Sequence, residues 1–370
     1  MANGKISTKQ LAVLVIYFII GDMLLVLPSL IVSAAKQDAW LSGMLGFIVG
    51  WPVAWFLYKF SRLYPKLTIV QYSRRLLGKW LGGLVAIFYL YYYLTNVSVI
   101  LREVGDFITT QFLTETPIMV IHLLMVILII WSMKSGIETI ARTGETFFPW
   151  NALLFIALII LLLPQVQMDR IQPIMTEGLR NINYASLYSS TFTFCEMNVF
   201  LMILPQVANS KHTERDYLIG AFLGGMAICS IVMLTLVVIG PNLIPSLIYP
   251  TYSAAQKINI GNFLQRVEAI LAINWIISTY FKIILNFYAL MLGLTQLLKL
   301  RDTRSMTVPV GLIAFGLAFA VTPNTVHFNY MINYYIYWDI TCAIVLPLLL
   351  YAIHLIRKKY GHPNLQQDRL

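Results

Sequence analysis

Ten long apolar runs follow one another along the chain. They cover about 10–34, 41–60, 81–110, 117–133, 137–164, 185–206, 217–240, 268–298, 306–322 and 332–356. About 20 apolar residues suffice for an α-helix to cross a bilayer's hydrocarbon core. Only 11% of the residues are charged, where a soluble domain has about a quarter. The sequence therefore predicts an all-α polytopic membrane protein, with ten transmembrane helices in one domain over residues 1–370.

The basic residues predict the orientation in the membrane. If the amino terminus is cytosolic, the outer segments hold only a minority of the 26 basic residues, and Lys282 lies inside a span. The outer ones are Lys36, Arg102, Arg170, Arg180, Lys257 and Arg266. The excess of Lys and Arg in the inner segments places both termini, including a basic tail at 357–370, in the cytosol. The net charge of +10 therefore indicates topology and contact with anionic lipid, and we expect no nucleic-acid partner. We expect no cleavable signal peptide in the first run, because the run is too long for one and lacks a small-residue cleavage site.

The sequence gives little support for catalysis or for a metal site. Cys195, Cys229 and Cys342 lie in three different runs, and the chain has no Cys-x-x-Cys motif or His-rich cluster. It also has no nucleophile elbow or phosphate-binding loop. The segments between the runs are too short to hold a cofactor. We expect a protein that is not an enzyme and that has no metal and no cofactor.

Two connecting segments resemble each other. "YPKLTIVQYSRRLLGKWL" begins at residue 64 and "YPTYSAAQKINIGNFL" at residue 249. Both read Tyr-Pro-x-x-(Ser/Thr)-x-x-Gln, followed by apolar-Gly-x-aromatic-Leu. Five predicted spans separate them, so the second copy lies on the opposite side of the membrane. This predicts an inverted five-plus-five repeat, about 10–164 and 185–356, as in many secondary transporters. Coincidence in a low-diversity sequence is the alternative.

The same repeat pairs the first span with the sixth. Span 1 contains "GDMLLVLP" and span 6 contains "CEMNVFLMILP", each an acid, then Met, then an apolar run that ends in Leu-Pro. Transporters of this architecture interrupt these two helices near the midplane, where freed backbone groups hold the ligand. We predict breaks near Gly21 and near Cys195–Asn198, with Gly21 and Pro28 as the helix breakers. Asp22 then faces the cavity; the alternative is that it only caps the following half-helix.

Charged residues inside the spans need a reason, because each costs about 2.5–3.5 kcal/mol on insertion scales. Lys282 lies deep in span 8, and Thr279 and Asn286 share its helical face. We predict that Lys282 reaches span 1, either pairing with Asp22 or taking the place of a coupling cation. A purely structural ion pair is the alternative.

Further charged residues lie toward the outer ends of the spans. Arg102, Glu103 and Asp106 cluster in span 3, where Arg102 and Asp106 are spaced to pair along the helix. Together with Glu268 they form either an outer gate or vestibule, or an ordinary solvated rim. Asp339 lies in an aromatic cluster of a kind found at the membrane interface, where we expect a structural role.

Several segments, in order, resemble one family. They are "IGDMLLVLP", "YPKLTIVQYSRRLLGKWLG", "TETPIMVI", "GIETIAR" and "YPTYSAAQKINIGNFLQRVEAILAINW", with a basic tail. Over nearly its whole length the chain resembles the B subunits of bacterial spore germinant receptors, a branch of the amino acid–polyamine–organocation superfamily. The resemblance implies the LeuT-like inverted fold and a nutrient pocket between spans 1, 3, 6 and 8. With the charged positions it gives the candidate ligand-binding residues Gly21, Asp22, Met23, Cys195, Glu196, Asn198, Thr279, Lys282 and Asn286.

The resemblance also implies partners and a location. Such B subunits assemble with an A subunit, which has membrane and soluble parts, and with a lipoprotein C subunit, in the spore inner membrane. They sense amino acids, sugars or nucleosides. Here Gly21-Asp22-Met23 stands where many members have Gly-Ala-Gly, and Cys195-Glu196 where Gly-Glu is usual. Loss of those glycines hinders close approach of a ligand carboxylate to the backbone, and the two acids favour a cationic or polyhydroxylated ligand.

Three functions remain open from the sequence. The first is a receptor, in which nutrient binding shifts a transporter-like scaffold that the partner subunits read. The second is a proton- or cation-coupled permease for amino acids or amines. The third is a ligand-opened conduit for water or ions. Charges inside the membrane fit all three.

Overall fold

The computed structural model describes residues 5–208, 210–258, 267–321 and 325–359, except for the side chains of 325–330. Within these ranges the spans are helical. The helices are α1 (Thr8–Ile20), α2 (Met23–Ala35), α3 (Ala39–Ser61), α4 (Ile69–Gln111), α5 (Ile118–Ser135), α6 (Ile137–Leu162), α7 (Gly178–Phe194), α8 (Phe200–Ile203), α9 (Thr213–Ile239), α10 (Pro250–Gln256), α11 (Glu268–Leu298), α12 (Arg304–Val321), α13 (Thr325–Ile340) and α14 (Leu346–Lys359). Arg266 and residues 360–370 of the predicted basic tail lie outside the described residues.

The helices match the ten predicted spans. Nine helical stretches of the described chain are long and apolar enough to cross a membrane. One of them, Met23–Ser61, contains both α2 and α3, which turn apart at Lys36, where φ is 43°. The shorter apolar helix α1 joins α2 to form the first span. The chain is a multi-pass helical membrane protein.

The first span is interrupted where the sequence predicts. α1 ends at Ile20, Gly21 has φ 20° and ψ −133°, and α2 begins at Met23. A side chain at Gly21 would overlap that of Lys282, with a Cβ placed 2.5 Å from Lys282 Cδ. Gly21 is therefore required both by its backbone angles and by this close approach. The prediction for Pro28 is wrong, because Pro28 lies inside α2 and does not end it. Proline removes one backbone donor, and here the helix continues past it.

The sixth span changes its helical form at the predicted position. After α7 the chain tightens into a 3-10 segment, Cys195–Val199, before the short α8. The prediction of a break is correct in place, but this stretch remains helical instead of unwinding. A 3-10 stretch inside a long helix often marks a hinge or a functional site.

The two Tyr-Pro motifs occupy similar places. Thr68 caps the start of α4, whose first turns are separated from its long membrane part by Gly78, with φ 81°. Tyr249 directly precedes the short α10, which comes before the long α11. Each motif thus introduces a short helix ahead of the third span of its half. The bounds of the two repeats stay a prediction, and residues 259–266, which hold the rest of the second motif, lie outside the described residues.

Small residues allow α3 to pack closely against α7. A Cβ at Gly50 would overlap the ring of Phe194, and one at Gly46 would overlap Ser189. By contrast, a Cβ at Gly83 in α4 meets nothing within 4 Å. Close backbone approach at small residues is a common basis of helix association in membranes.

These glycines give a matched test of the packing. We expect Gly50→Ala to destabilise the protein by about 1–3 kcal/mol, because the methyl group overpacks a closed contact. Gly83→Ala should be neutral or stabilising by up to about 1 kcal/mol, since alanine favours helix and the site is open. Apparent unfolding temperatures of both variants in one detergent check this. Equal unfolding temperatures for the two would contradict the packing described for α3 and α7.

Candidate functional site

The centre of the site is the ammonium group of Lys282. This residue lies in α11 and is 1% exposed. Its Nζ donates a hydrogen bond to Asp22 Oδ1 and forms a second ion pair with Glu196 Oε2. The predicted pairing of Lys282 with span 1 is therefore present, and span 6 contributes the other carboxylate. One lysine thus joins both interrupted helices to span 8.

Asp22 is held by its backbone as well as by its side chain. In α11, Trp275 Nε1 donates a hydrogen bond to the Asp22 carbonyl oxygen at 3.1 Å. The Asp22 side chain makes no capping hydrogen bond to the first turn of α2. The carboxylate is engaged by Lys282 and not by the helix that follows it, so the capping alternative lacks its defining contact.

A narrow cavity of about 20 Å³, room for about one water molecule, adjoins this ion-paired group. One face of α4 forms a wall, because Asn96, Val99, Ile100 and Glu103 recur at helical spacing. The other lining residues come from the two interrupted spans and from α13; they are Asp22, Met23, Phe192, Glu196, Met331, Ile332 and Tyr335. The cavity is enclosed by spans 1, 3, 6 and 10, whereas the family resemblance implies 1, 3, 6 and 8. Span 8 does not line the cavity, but its Lys282 forms ion pairs with two lining residues, Asp22 and Glu196.

Glu103 belongs to this cavity and not to an outer rim. It is 6% exposed, and its Oε2 has no hydrogen-bond partner. Its sequence neighbours pair with each other instead, as predicted: Arg102 Nε donates to both carboxylate oxygens of Asp106, at 3.0 Å. Three carboxylates therefore line the cavity, and the one ammonium among the described contacts serves only two of them. Removing a carboxylate from water is unfavourable unless it is paired or hydrogen-bonded, so this cavity is suited to a positively charged group.

Other candidate residues lie around the site without lining it. Asn198 donates to the Cys195 carbonyl at 3.0 Å and to Tyr92 Oη at 3.1 Å. Asn286 donates to the Lys282 carbonyl at 3.0 Å, and Thr279 Oγ1 is buried without a partner. Glu268, the first residue of α11, is buried but does not line the cavity. A ligand-binding role for these residues stays a prediction.

Asp339 is buried among the helices near the site. It is fully buried, and its Oδ1 accepts a hydrogen bond of 2.7 Å from Tyr92 Oη. The expected structural role of Asp339 stays a prediction. Through Tyr92 and Asn198 the carboxylate is connected to the 3-10 segment of span 6. A π-helical turn, Thr341–Val345, follows directly on α13, and such turns are frequent at functional sites.

Sequence reasoning missed several lining residues. They are Asn96, Val99, Ile100, Phe192, Met331, Ile332 and Tyr335. Asn96 had a usable signal, a polar residue two turns before Glu103 in an apolar run. The others are apolar or aromatic residues in apolar helices, and nothing in their own sequence separates them from core residues. Among the described residues, no group of three or more His, Cys, Asp or Glu side chains is arranged to hold a metal ion.

The fold and this buried, charged cavity define a transporter-like membrane protein. The family model described as "Spore germination protein" matches residues 5–326, and the chain belongs to that spore permease family. It is 26% identical over 364 residues to spore germination protein KB of Bacillus subtilis (strain 168), covering 97% of each chain. It is 29% identical over 345 residues to the putative spore germination protein YfkT of the same organism, covering 90% of this chain and 92% of that protein.

A solved structure with the same fold is the transporter Mhp1. Mhp1 belongs to the nucleobase-cation-symport-1 family, and its structure is in a closed conformation with bromovinylhydantoin bound. The TM-score is 0.69 at 11% sequence identity, covering 98% of this chain and 81% of Mhp1. At this identity the likeness shows the fold alone, which is the predicted LeuT-like inverted fold.

Proposed function

We propose that this protein is the nutrient-sensing membrane subunit of a spore germinant receptor, which binds a small germinant in the carboxylate-lined cavity and triggers germination with partner subunits. The cavity must widen to admit the germinant. The observation that carries the proposal is the free Glu103 carboxylate oxygen in a cavity that both interrupted helices line. A germinant there contacts spans 1 and 6 at the points where their helices are weakest. Binding can then shift the balance between two conformations of the scaffold.

The cavity supports a germinant with a positively charged group. That group would pair with Glu103, the carboxylate that Lys282 does not reach among the described contacts. The apolar walls at Val99, Phe192 and Ile332 suit a compact organic body, and Asn96 and Tyr335 offer hydrogen bonds to hydroxyl or carbonyl groups. Amino acids with a blocked or absent carboxylate, and small amines, fit this chemistry best.

The proposed partners and location follow from the family. The relatives include spore germination proteins A2 and B2 of Bacillus subtilis (strain 168), which match 97% and 99% of their own lengths. We infer that this chain works with a receptor A subunit and a lipoprotein C subunit in the spore inner membrane, with both termini in the cytosol. Co-purification of all three subunits from spores, and protease access to tagged termini, test these two points.

A coupled permease is the second candidate, because the fold is shared with a cation-symport transporter. In that case the Asp22–Lys282–Glu196 group would change its protonation or ion pairing during each transport cycle. Uptake of radiolabelled nutrient into proteoliposomes that contain only this chain would favour the permease. Binding without uptake, with germination lost in deletion spores, would favour the receptor.

Glu103→Gln tests the proposed cavity. Spores that lack the gene are complemented with the wild type, with Glu103→Gln or with Glu138→Gln, and screened with amino acids, amines, sugars and nucleosides. For a cationic nutrient we expect Glu103→Gln to raise the half-response concentration at least roughly tenfold, about 1.4 kcal/mol, because glutamine cannot pair with its charge. Glu138 is a matched control, since it forms a surface pair with Arg142.

Two results would count against this function. If deletion spores respond to every nutrient of the panel as wild-type spores do, this chain is not a germinant receptor for any of those nutrients. If Glu103→Gln behaves like Glu138→Gln at equal protein level, the nutrient does not use the Glu103 carboxylate, and the cationic assignment fails while the receptor role stands.

A further inference from the structure

A second cavity lies on the other side of the interrupted first span. Its volume is about 510 Å³, and it is formed by α1, α6, α9 and α11. It contains Ile16, Tyr17 and Ile20, the residues just before the break at Gly21. None of the described residues that line it is charged. Its chemistry therefore differs from that of the carboxylate-lined cavity, although both share the wall that α1 and α2 provide.

This apolar crevice opens toward the lipid-facing surface. Ile156 of α6 and Leu223 and Met226 of α9 line it, and each is about half exposed. These residues lie within helices that are apolar enough to span the membrane. A molecule would therefore enter the crevice from the bilayer and not from water.

A buried hydroxyl group in the crevice wall has no acceptor. Tyr17 is 2% exposed, and its Oη has no hydrogen-bond partner among the described residues. The neighbouring Asn151 side chain lies instead against the amide group of Asn274. Buried polar groups in native proteins are nearly always hydrogen-bonded, so each such group calls for an explanation. An oxygen atom of a bound molecule would accept a hydrogen bond from the Tyr17 hydroxyl.

We infer that this crevice binds an uncharged, lipophilic small molecule that carries a hydroxyl or carbonyl oxygen, with the oxygen at Tyr17 and the hydrocarbon part toward Ile156 and Met226. The absence of charge among the described lining residues excludes an ionic head group, which would have no counter-charge there. Tyr17 lies one turn before the break in the middle of the first span. That depth is remote from the ester region of a bilayer lipid, so the occupant is a molecule dissolved in the hydrocarbon core.

The crevice is connected to the charged group. The Tyr17 ring stacks on Phe281, with ring centroids 4.5 Å apart, and Phe281 is the neighbour of Lys282. The Tyr17 carbonyl also accepts the Gly21 N–H at 2.9 Å. A molecule bound against Tyr17 therefore stabilises the position of α1 relative to α11, and acts on the same broken helix as a ligand of the carboxylate-lined cavity.

Photolabelling with two matched probes tests the assignment. Octan-1-ol and octane, each carrying a diazirine, are irradiated with the purified full-length protein in nanodiscs, and labelled residues are mapped by mass spectrometry. We expect the alcohol to label α1 and α6 residues of the crevice in preference to the alkane by roughly tenfold, about 1.4 kcal/mol. Equal labelling of all lipid-exposed faces by both probes would show lipid partitioning only and would overturn the site.

Variants separate the crevice from the general surface. Ala152→Phe and Ala227→Phe fill it from opposite walls, and both should abolish its labelling by the alcohol. Gly83→Phe adds a ring in open space on α4 and should leave the labelling unchanged. Tyr17→Phe should remove the preference for the alcohol over the alkane. Two filling variants are used in case one of them fails to fold. Crevice labelling by the alcohol that persists in either folded variant would contradict the proposal.

Discussion

Replacing Lys282 by methionine is expected to destabilise the protein by about 3–5 kcal/mol, because the Asp22 and Glu196 carboxylates are then left buried without their shared partner. Their side chains are 4% and 9% exposed, so bulk water has little access to them and replaces the ammonium group poorly. Methionine keeps much of the volume of the lysine stem, which limits the loss of packing. We expect protein that still inserts in the membrane, unfolds at a lower temperature in detergent, and gives no response to nutrient.

Two comparisons isolate the charge effect. Lys59→Met removes a surface lysine whose Nζ lies 2.7 Å from Glu214, with side chains 46% and 37% exposed, and should change stability by no more than about 1 kcal/mol. Adding Asp22→Asn and Glu196→Gln to Lys282→Met removes both orphaned charges and should recover much of the lost stability. The triple variant should still not respond. If Lys282→Met unfolds at the same temperature as Lys59→Met, the buried pair does not hold the three spans together.

Strong local signals made part of this architecture predictable. A lysine in the middle of an apolar run needs a buried partner, and an acid behind a glycine in another apolar run supplies one. Gly21 at the break follows from the same logic, since a residue with a Cβ resists its backbone angles and its contact with Lys282. The ten spans and the likeness of the two Tyr-Pro motifs needed only hydrophobic length and spacing.

Features that depend on non-local packing were not predictable. Nothing in "YYIYWDITCA" reveals that Asp339 meets Tyr92, which precedes it by more than two hundred residues. Arg102, Glu103 and Asp106 appear as one cluster in the sequence, yet helix phase turns Glu103 into the cavity while the other two pair together. Pro28 gave a misleading signal, because loss of one donor does not end a helix that tertiary packing supports.

The charge of Asp22, the residue that follows the break at Gly21, bears most directly on function. Asp22→Asn keeps the size and the capping ability of the side chain but removes its charge. Lys282 then retains only Glu196 of its two carboxylate partners, and the cavity loses one of its three negative charges. We expect the concentration of the cationic nutrient that gives a half-maximal response to rise at least roughly tenfold, about 1.4 kcal/mol.

An exposed aspartate that accepts a backbone N–H at the start of another helix provides the control. Asp302 is exposed, and its Oδ1 accepts the backbone N–H of Arg304, at the start of α12, at 3.1 Å. Asparagine is as good a cap as aspartate, so Asp302→Asn should leave the dose–response curve unchanged. The half-response concentrations of the two variants are measured in spores with equal amounts of protein. A curve for Asp22→Asn that coincides with that of Asp302→Asn would mean that neither the charge of Asp22 nor its ion pair with Lys282 contributes to nutrient sensing.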